Sequence, residues 1–180
     1  PAAVIEAVDG FDRRHNANVS RAVHALGAEA TDAYEGARRK LAGFLNVRHD
    51  DLVLCSGTTF AINLVAYAWA LPRLQPGDAI LLTRMEHHAN IVPWQLVAQR
   101  TGATIKVAEL REDGSLDLDA LFAAMTAEVK LLGFTHVSNV LGTINPVAAI
   151  CREARRRGIA TVVDGSQAAP HMALDLPALG

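Results

Sequence analysis

At 180 residues, 51% hydrophobic and 20% charged, the chain is long and apolar enough for one full hydrophobic core, which excludes a disordered polypeptide. A formal net charge of -2 gives no general attraction to nucleic acid, and no apolar run reaches the length of a membrane span. Cys55 and Cys151 are too far apart for a zinc motif or a disulfide framework, which points to a reduced, cytoplasmic setting.

The opening Pro-Ala-Ala-Val-Ile-Glu is not a signal peptide and starts in mid-pattern without Met, so the natural start is expected upstream. Strand and helix patterns alternate from about residue 28. Tyr34, Ala37, Leu41 and Phe44 are spaced for a helix over 30–45. Leu52-Val53-Leu54 reads as a short buried strand, with a helix over 58–70 directly after it. Pro72 and Pro76-Gly77-Asp78 mark a loop, and 79–83 a second strand. A helix over 90–100 tolerates Pro93 only because it falls in the first turn, and Gly102 closes it. Strands are predicted over 104–108, 129–135 and 159–163. The helix between the first two carries Leu118, Leu121, Phe122 and Met125 on one face, after a turn at 112–115. Pro146 opens the last helix, which ends near Gly158 with the basic run Arg155-Arg156-Arg157 at its dipole-favoured end. This alternation predicts an α/β fold with a mainly parallel sheet flanked by helices.

In such sheets ligands gather beyond the carboxyl ends of the strands. The segments there are Ser56-Gly57-Thr58-Thr59, Glu86-His87-His88, His136-Val137-Ser138-Asn139 and Asp164-Gly165-Ser166-Gln167, all polar. Each has an ordinary reading. Ser56 or Thr58 suits a helix cap, or with Gly57 a phosphate cradle at a helix N-terminus. No Gly-Lys-Ser/Thr follows, so this is not a Walker loop. His87 and His88 open a helix capped by Asn90, or lie on an aromatic ring, or move protons; they lack the spacing of a helical metal pair, and no metal is expected. Asp164 ends an apolar strand, where a carboxylate needs a cap, a cation, a metal or a protonated ring nitrogen as partner.

Four longer segments carry a more specific signal. Ser56-Gly57-Thr58-Thr59-Phe60-Ala61-Ile62-Asn63, Met85-Glu86-His87-His88-Ala89-Asn90-Ile91-Val92-Pro93-Trp94, His136-Val137-Ser138-Asn139-Val140-Leu141-Gly142 and Val163-Asp164-Gly165-Ser166-Gln167-Ala168 occur in this order. Together they resemble the class V aminotransferase family, and within it the cysteine desulfurase and selenocysteine lyase branch. The resemblance runs over nearly the whole chain. It implies the large domain of a fold-type I transferase, truncated, over 28–180, with 1–27 as an N-terminal, substrate-side segment.

It also implies pyridoxal 5'-phosphate as cofactor. Thr58 and Thr59 would hold its phosphate. His87 would stack on its ring and move protons. Asn139 would lie near the substrate and the ring hydroxyl, Asp164 would pair with the pyridine nitrogen, and Gln167 would bond the ring hydroxyl. His24, in Val19-Ser20-Arg21-Ala22-Val23-His24, resembles a substrate-side histidine of the family, while His171 matches a position without an assigned role. The implied reaction takes sulfur from L-cysteine (or selenium from L-selenocysteine), leaving alanine and an enzyme persulfide. A homodimer and a sulfur-acceptor protein are the implied partners, with no nucleic acid or membrane.

Two departures stand out. Phe60 stands where relatives often have a carboxylate. The Schiff-base lysine and the nucleophilic cysteine of the family are expected beyond Gly180, because Lys40, Lys106, Lys130, Cys55 and Cys151 do not match their places. The 180 residues alone are therefore expected to be inactive. The competing readings are another enzyme of the same family (an aminotransferase, an epimerase or a kynureninase-like enzyme), a non-catalytic module that binds a phosphate ligand, and a metal-dependent hydrolase using His87, His88 and Asp164.

Overall fold

The computed structural model describes residues 1–20 and 23–180. The chain forms two compact units, Pro1–Leu54 and Cys55–Gly180. In the first, α1 (Ala2–Arg14) buries no residue and exposes Val4, Ile5 and Val8. Helix α2 (Ala25–Leu45) begins five residues before the predicted start, because the His24 ring accepts a hydrogen bond from the Gly27 amide and caps it. Asn46, in the left-handed region at φ 55°, ends it.

The second unit is a four-stranded parallel sheet in the order β2-β1-β3-β4. Its strands are β1 (Ala79–Thr83), β2 (Thr104–Ala108), β3 (Val129–Thr135) and β4 (Ala160–Asp164). The first predicted strand, at Leu52–Leu54, is corrected. Leu52–Leu54 adopts no strand conformation, and Val53 is 68% exposed. Three apolar residues without a ladder partner for their amides do not make a strand. The helix predicted over 58–70 is also modified. Helix α3 (Thr58–Val65) passes into one wider turn at Ala66–Ala70, closed by the Leu71 amide on the Ala66 carbonyl at 2.8 Å.

Alternation along the central strands makes two cores. Ala79 and Leu81 of β1 face one side with Leu132 and Phe134 of β3, covered by α5 (Leu118–Ala124) and α6 (Val147–Arg156). Ile80, Leu82 and Leu131 face the other, covered by α3 and α4 (Val92–Thr101). The register slips between Ala79 and Ile80, whose partners are Val129 and Leu131. This slip lets Val129 and Leu132, three apart, share one face. The basic run at the end of α6 does more than complement a dipole. Arg156 and Arg157 both bind Glu153, and Arg157 donates to the Phe122 and Met125 carbonyls, closing the open end of α5.

Gly133 is where β3 meets α4. A Cβ there would stand 2.9 Å from Leu82 Cδ2 and 3.4 Å from both Asn90 Oδ1 and Trp94 Nε1. Gly133→Ala is expected to destabilise the protein by about 1–3 kcal/mol through overpacking. Chemical denaturation checks this, and an unchanged midpoint would show that Leu82 yields freely.

Candidate active site

The carboxyl ends of β1, β3 and β4 and the N-terminus of α3 surround one cavity of about 230 Å³. Thr58, Thr59, His87, Asn139, Asp164 and Gln167 all line it, joined by Ala89, Thr135, Val137 and Ser166. Residues up to 109 apart in sequence thus meet because a parallel sheet brings the ends of its strands to one edge.

Gly57 sets the first wall. Its φ of 152° suits glycine, and it turns the chain into α3 with no side chain capping the helix. The first-turn amides of Thr58, Thr59 and Phe60 have no partner inside the helix and form a ready cradle for an anion. Phe60 itself is 54% exposed and does not line the cavity.

His87 follows β1 and precedes the short turn His88–Asn90. Its Nδ1 accepts from the Ala89 amide at 3.1 Å, so in the neutral ring Nε2 carries the proton. His88 meets His87 edge to face, with centroids 6.0 Å apart. Among the described residues no group of three His, Cys, Asp or Glu side chains is placed to hold a metal ion.

A buried network fixes the segment that carries His87. Glu86 Oε1 accepts from the Thr83 hydroxyl and, at 3.0 Å, from the Thr135 amide. Its Oε2 accepts from Asn90 Nδ2 at 2.7 Å, and Asn90 Oδ1 accepts from Trp94 Nε1 at 2.9 Å. Burial pushes the Glu86 carboxyl up to about 7, against the three hydrogen bonds that favour its charge and with a smaller push from Asp164. Glu86 was visible in the sequence only as part of a quoted run. Its role depends on Thr135, 49 residues away.

Asp164 is buried at the end of β4. Among the described residues both hydrogen bonds to its carboxylate fall on Oδ1, from the Ser166 amide at 2.9 Å and the Ser166 hydroxyl at 2.5 Å. The Ser166 hydroxyl also lies 2.8 Å from Thr58 Oγ1, joining the β4 end to the start of α3. Nearby, burial pushes the His136 imidazole below its ordinary value.

Asn139 and Gln167 also line a second, more open cavity of about 580 Å³, with His171 and the loop bearing Val140, Leu141 and Ile144. The Ser138 hydroxyl holds that loop by accepting from the Val140 and Leu141 amides. His24 caps α2 in the N-terminal unit, and Arg21 and Ala22 of its segment lie outside the described residues. Lys106 binds Glu128 and Thr126, Lys130 binds the Ala127 carbonyl, and neither lines the main cavity. Cys151 is buried, which raises its thiol, while Cys55 is exposed.

Unpartnered first-turn amides, hydroxyls, an exposed imidazole and a buried strand-end carboxylate thus surround one cavity at the carboxyl edge of a parallel α/β sheet. The description Aminotransferase class-V matches residues 1–180, and the chain belongs to that family. It is 69% identical over its whole length to a probable cysteine desulfurase of Xylella fastidiosa strain 9a5c, spanning 43% of that protein. It is 47% identical over 99% of its length to a cysteine desulfurase of Cronobacter sakazakii, spanning 44% of it. The apo cysteine desulfurase of Thermococcus onnurineus NA1 superposes with a TM-score of 0.93 at 35% identity, over 99% of this chain and 44% of that one. The cysteine desulfurase CsdA of Escherichia coli gives 0.89 at 39% identity, over 99% and 45%. The chain thus spans less than half the length of these relatives.

Proposed function

We propose that this chain is part of a pyridoxal-phosphate-dependent cysteine desulfurase. The carrying observation is the convergence of Thr58, Thr59, His87, Asn139, Asp164 and Gln167 on one cavity. The donor set fits the cofactor. The α3 amides and Thr59 suit its phosphate, the His87 ring suits its aromatic face, and Asp164, with both hydrogen bonds on Oδ1, keeps Oδ2 for a protonated ring nitrogen. Asn139 and Gln167 offer amides to the ring hydroxyl. The 69% identity to a probable cysteine desulfurase supports this reading over the other activities of the family.

When bound, pyridoxal phosphate supplies an electron sink for bonds at the substrate α-carbon. The chain's own residues bind and orient. Asp164 holds a proton at the ring nitrogen, and His87 holds or moves one at Nε2. Residues 28–180 then belong to the cofactor-binding large domain and 1–27 to a substrate-side segment, with His24 and Asn139 toward L-cysteine or L-selenocysteine. The same reading places the protein in the cytoplasm, as a homodimer that passes sulfur to an acceptor protein. No helix among the described residues is long and apolar enough to cross a membrane.

The test uses the full-length protein that carries this sequence. Saturable binding of pyridoxal phosphate, followed by visible absorbance, and cofactor-dependent release of alanine from L-cysteine are expected. Cofactor binding with transamination and no alanine release would move the protein to another activity of the family. A lack of saturable binding would defeat the reading.

A further inference from the structure

A serine hydroxyl has one proton to give. Oδ1 of Asp164 already accepts from the Ser166 backbone amide at 2.9 Å, so it faces the Ser166 hydroxyl, 2.5 Å away, as an acceptor. Ser166 therefore spends its proton on Asp164. In the 2.8 Å contact between Ser166 Oγ and Thr58 Oγ1, Thr58 must then be the donor. Its hydroxyl proton is committed to Ser166, while its backbone amide, in the first turn of α3, stays free of helical partners.

Building on the cofactor reading above, we propose that Ser166 is a positioning residue that commits the Thr58 hydroxyl to the Asp164 carboxylate. Thr58 then serves a bound phosphate through its backbone amide alone. Ser166, holding Oδ1 twice, fixes Oδ2 as the oxygen left for the ring nitrogen and draws charge from that carboxylate. The chain Thr58–Ser166–Asp164 thus couples the phosphate cradle to the group that sets ring protonation.

A double-mutant cycle in the full-length protein tests this, with the pyridoxal phosphate dissociation constant as readout. Thr58→Val alone is expected to weaken binding less than about threefold, because the lost hydroxyl did not serve the phosphate. In a Ser166→Ala background the freed hydroxyl can turn to the phosphate, and the same change is then expected to weaken binding at least about tenfold. With cofactor labelled with nitrogen-15 in the ring, Ser166→Ala should shift the ring-nitrogen resonance, and Ser166→Thr, which keeps the hydroxyl, should restore it. A tenfold loss from Thr58→Val in the otherwise unmutated protein would overturn the proposal, as would a ring resonance indifferent to Ser166→Ala. If the unmutated protein binds no cofactor, the cofactor reading itself fails and takes the proposal with it. Saturable binding with additive mutants sinks the proposal alone.

Discussion

Asp164→Ala in the full-length protein is expected to cut alanine formation far more than it weakens cofactor binding. On the proposed reading Asp164 would be one cofactor contact among several, since Thr58, Thr59, His87, Asn139 and Gln167 line the same cavity. Losing one charge-assisted hydrogen bond costs about 1.5–3 kcal/mol, or roughly 10- to 150-fold in the dissociation constant. Turnover suffers a second loss. A ring nitrogen without its carboxylate partner no longer holds its proton, and the electron sink weakens, by on the order of 10³ in rate or more. The Ser166 amide and hydroxyl, which now meet on Oδ1, would also be left to water. The dissociation constant and the rate of alanine release, measured on one preparation, check this. An unchanged rate would remove Asp164 from the ring nitrogen.

Much of this arrangement is legible in the sequence, and the parts that are not share a physical cause. The strands at 79–83, 104–108 and 129–135 stand at their predicted bounds: β1 and all of β3 but Lys130 are buried and read as apolar runs, whereas the edge strand β2 is only partly buried and carries Thr104 and Lys106. Gly102 closes α4 at φ 75°, as its position after the last helical residue implied. The six residues read as cofactor ligands meet at one cavity, because each follows a strand or opens a helix at the same sheet edge. Leu52–Leu54 misled, since apolar side chains say nothing of whether a partner strand exists. The wide turn at Ala66–Ala70 was hidden, because its Ala-Tyr-Ala-Trp-Ala run carries no signal that separates one helical winding from another. Ser166 and Glu86 lay inside quoted motifs, yet their work is done for Thr58 and Thr135, and no local pattern encodes a hydrogen bond across 108 or 49 residues.

Glu86 supports the second large effect. In Glu86→Gln the side chain keeps its shape but replaces one oxygen with an amino group. With Nε2 toward Asn90, two donors face each other, because Asn90 Nδ2 is a donor there. Turning Asn90 over would cost the Trp94 bond to its Oδ1. With Nε2 on the other side, it faces the Thr135 amide, again a donor. Either way a buried donor is left without an acceptor, at about 1–3 kcal/mol. A protonated glutamic acid avoids this, because the Thr83 hydroxyl can rotate and accept the acid proton. Stability therefore depends on pH. Glu86 releases its proton near 4.5 when unperturbed and at about 7 in the fold. Between these values the folded protein binds more protons than the unfolded chain, so stability falls as pH rises through the window and levels off above 7. The fall from this group is on the order of 3 kcal/mol. The glutamine variant lacks this contribution. The stability advantage of the unmutated protein over Glu86→Gln is thus expected to be largest near pH 5 and to shrink toward pH 8. Denaturant midpoints of both proteins across that range measure it, and a difference that stays flat would show that Glu86 does not gain a proton on folding.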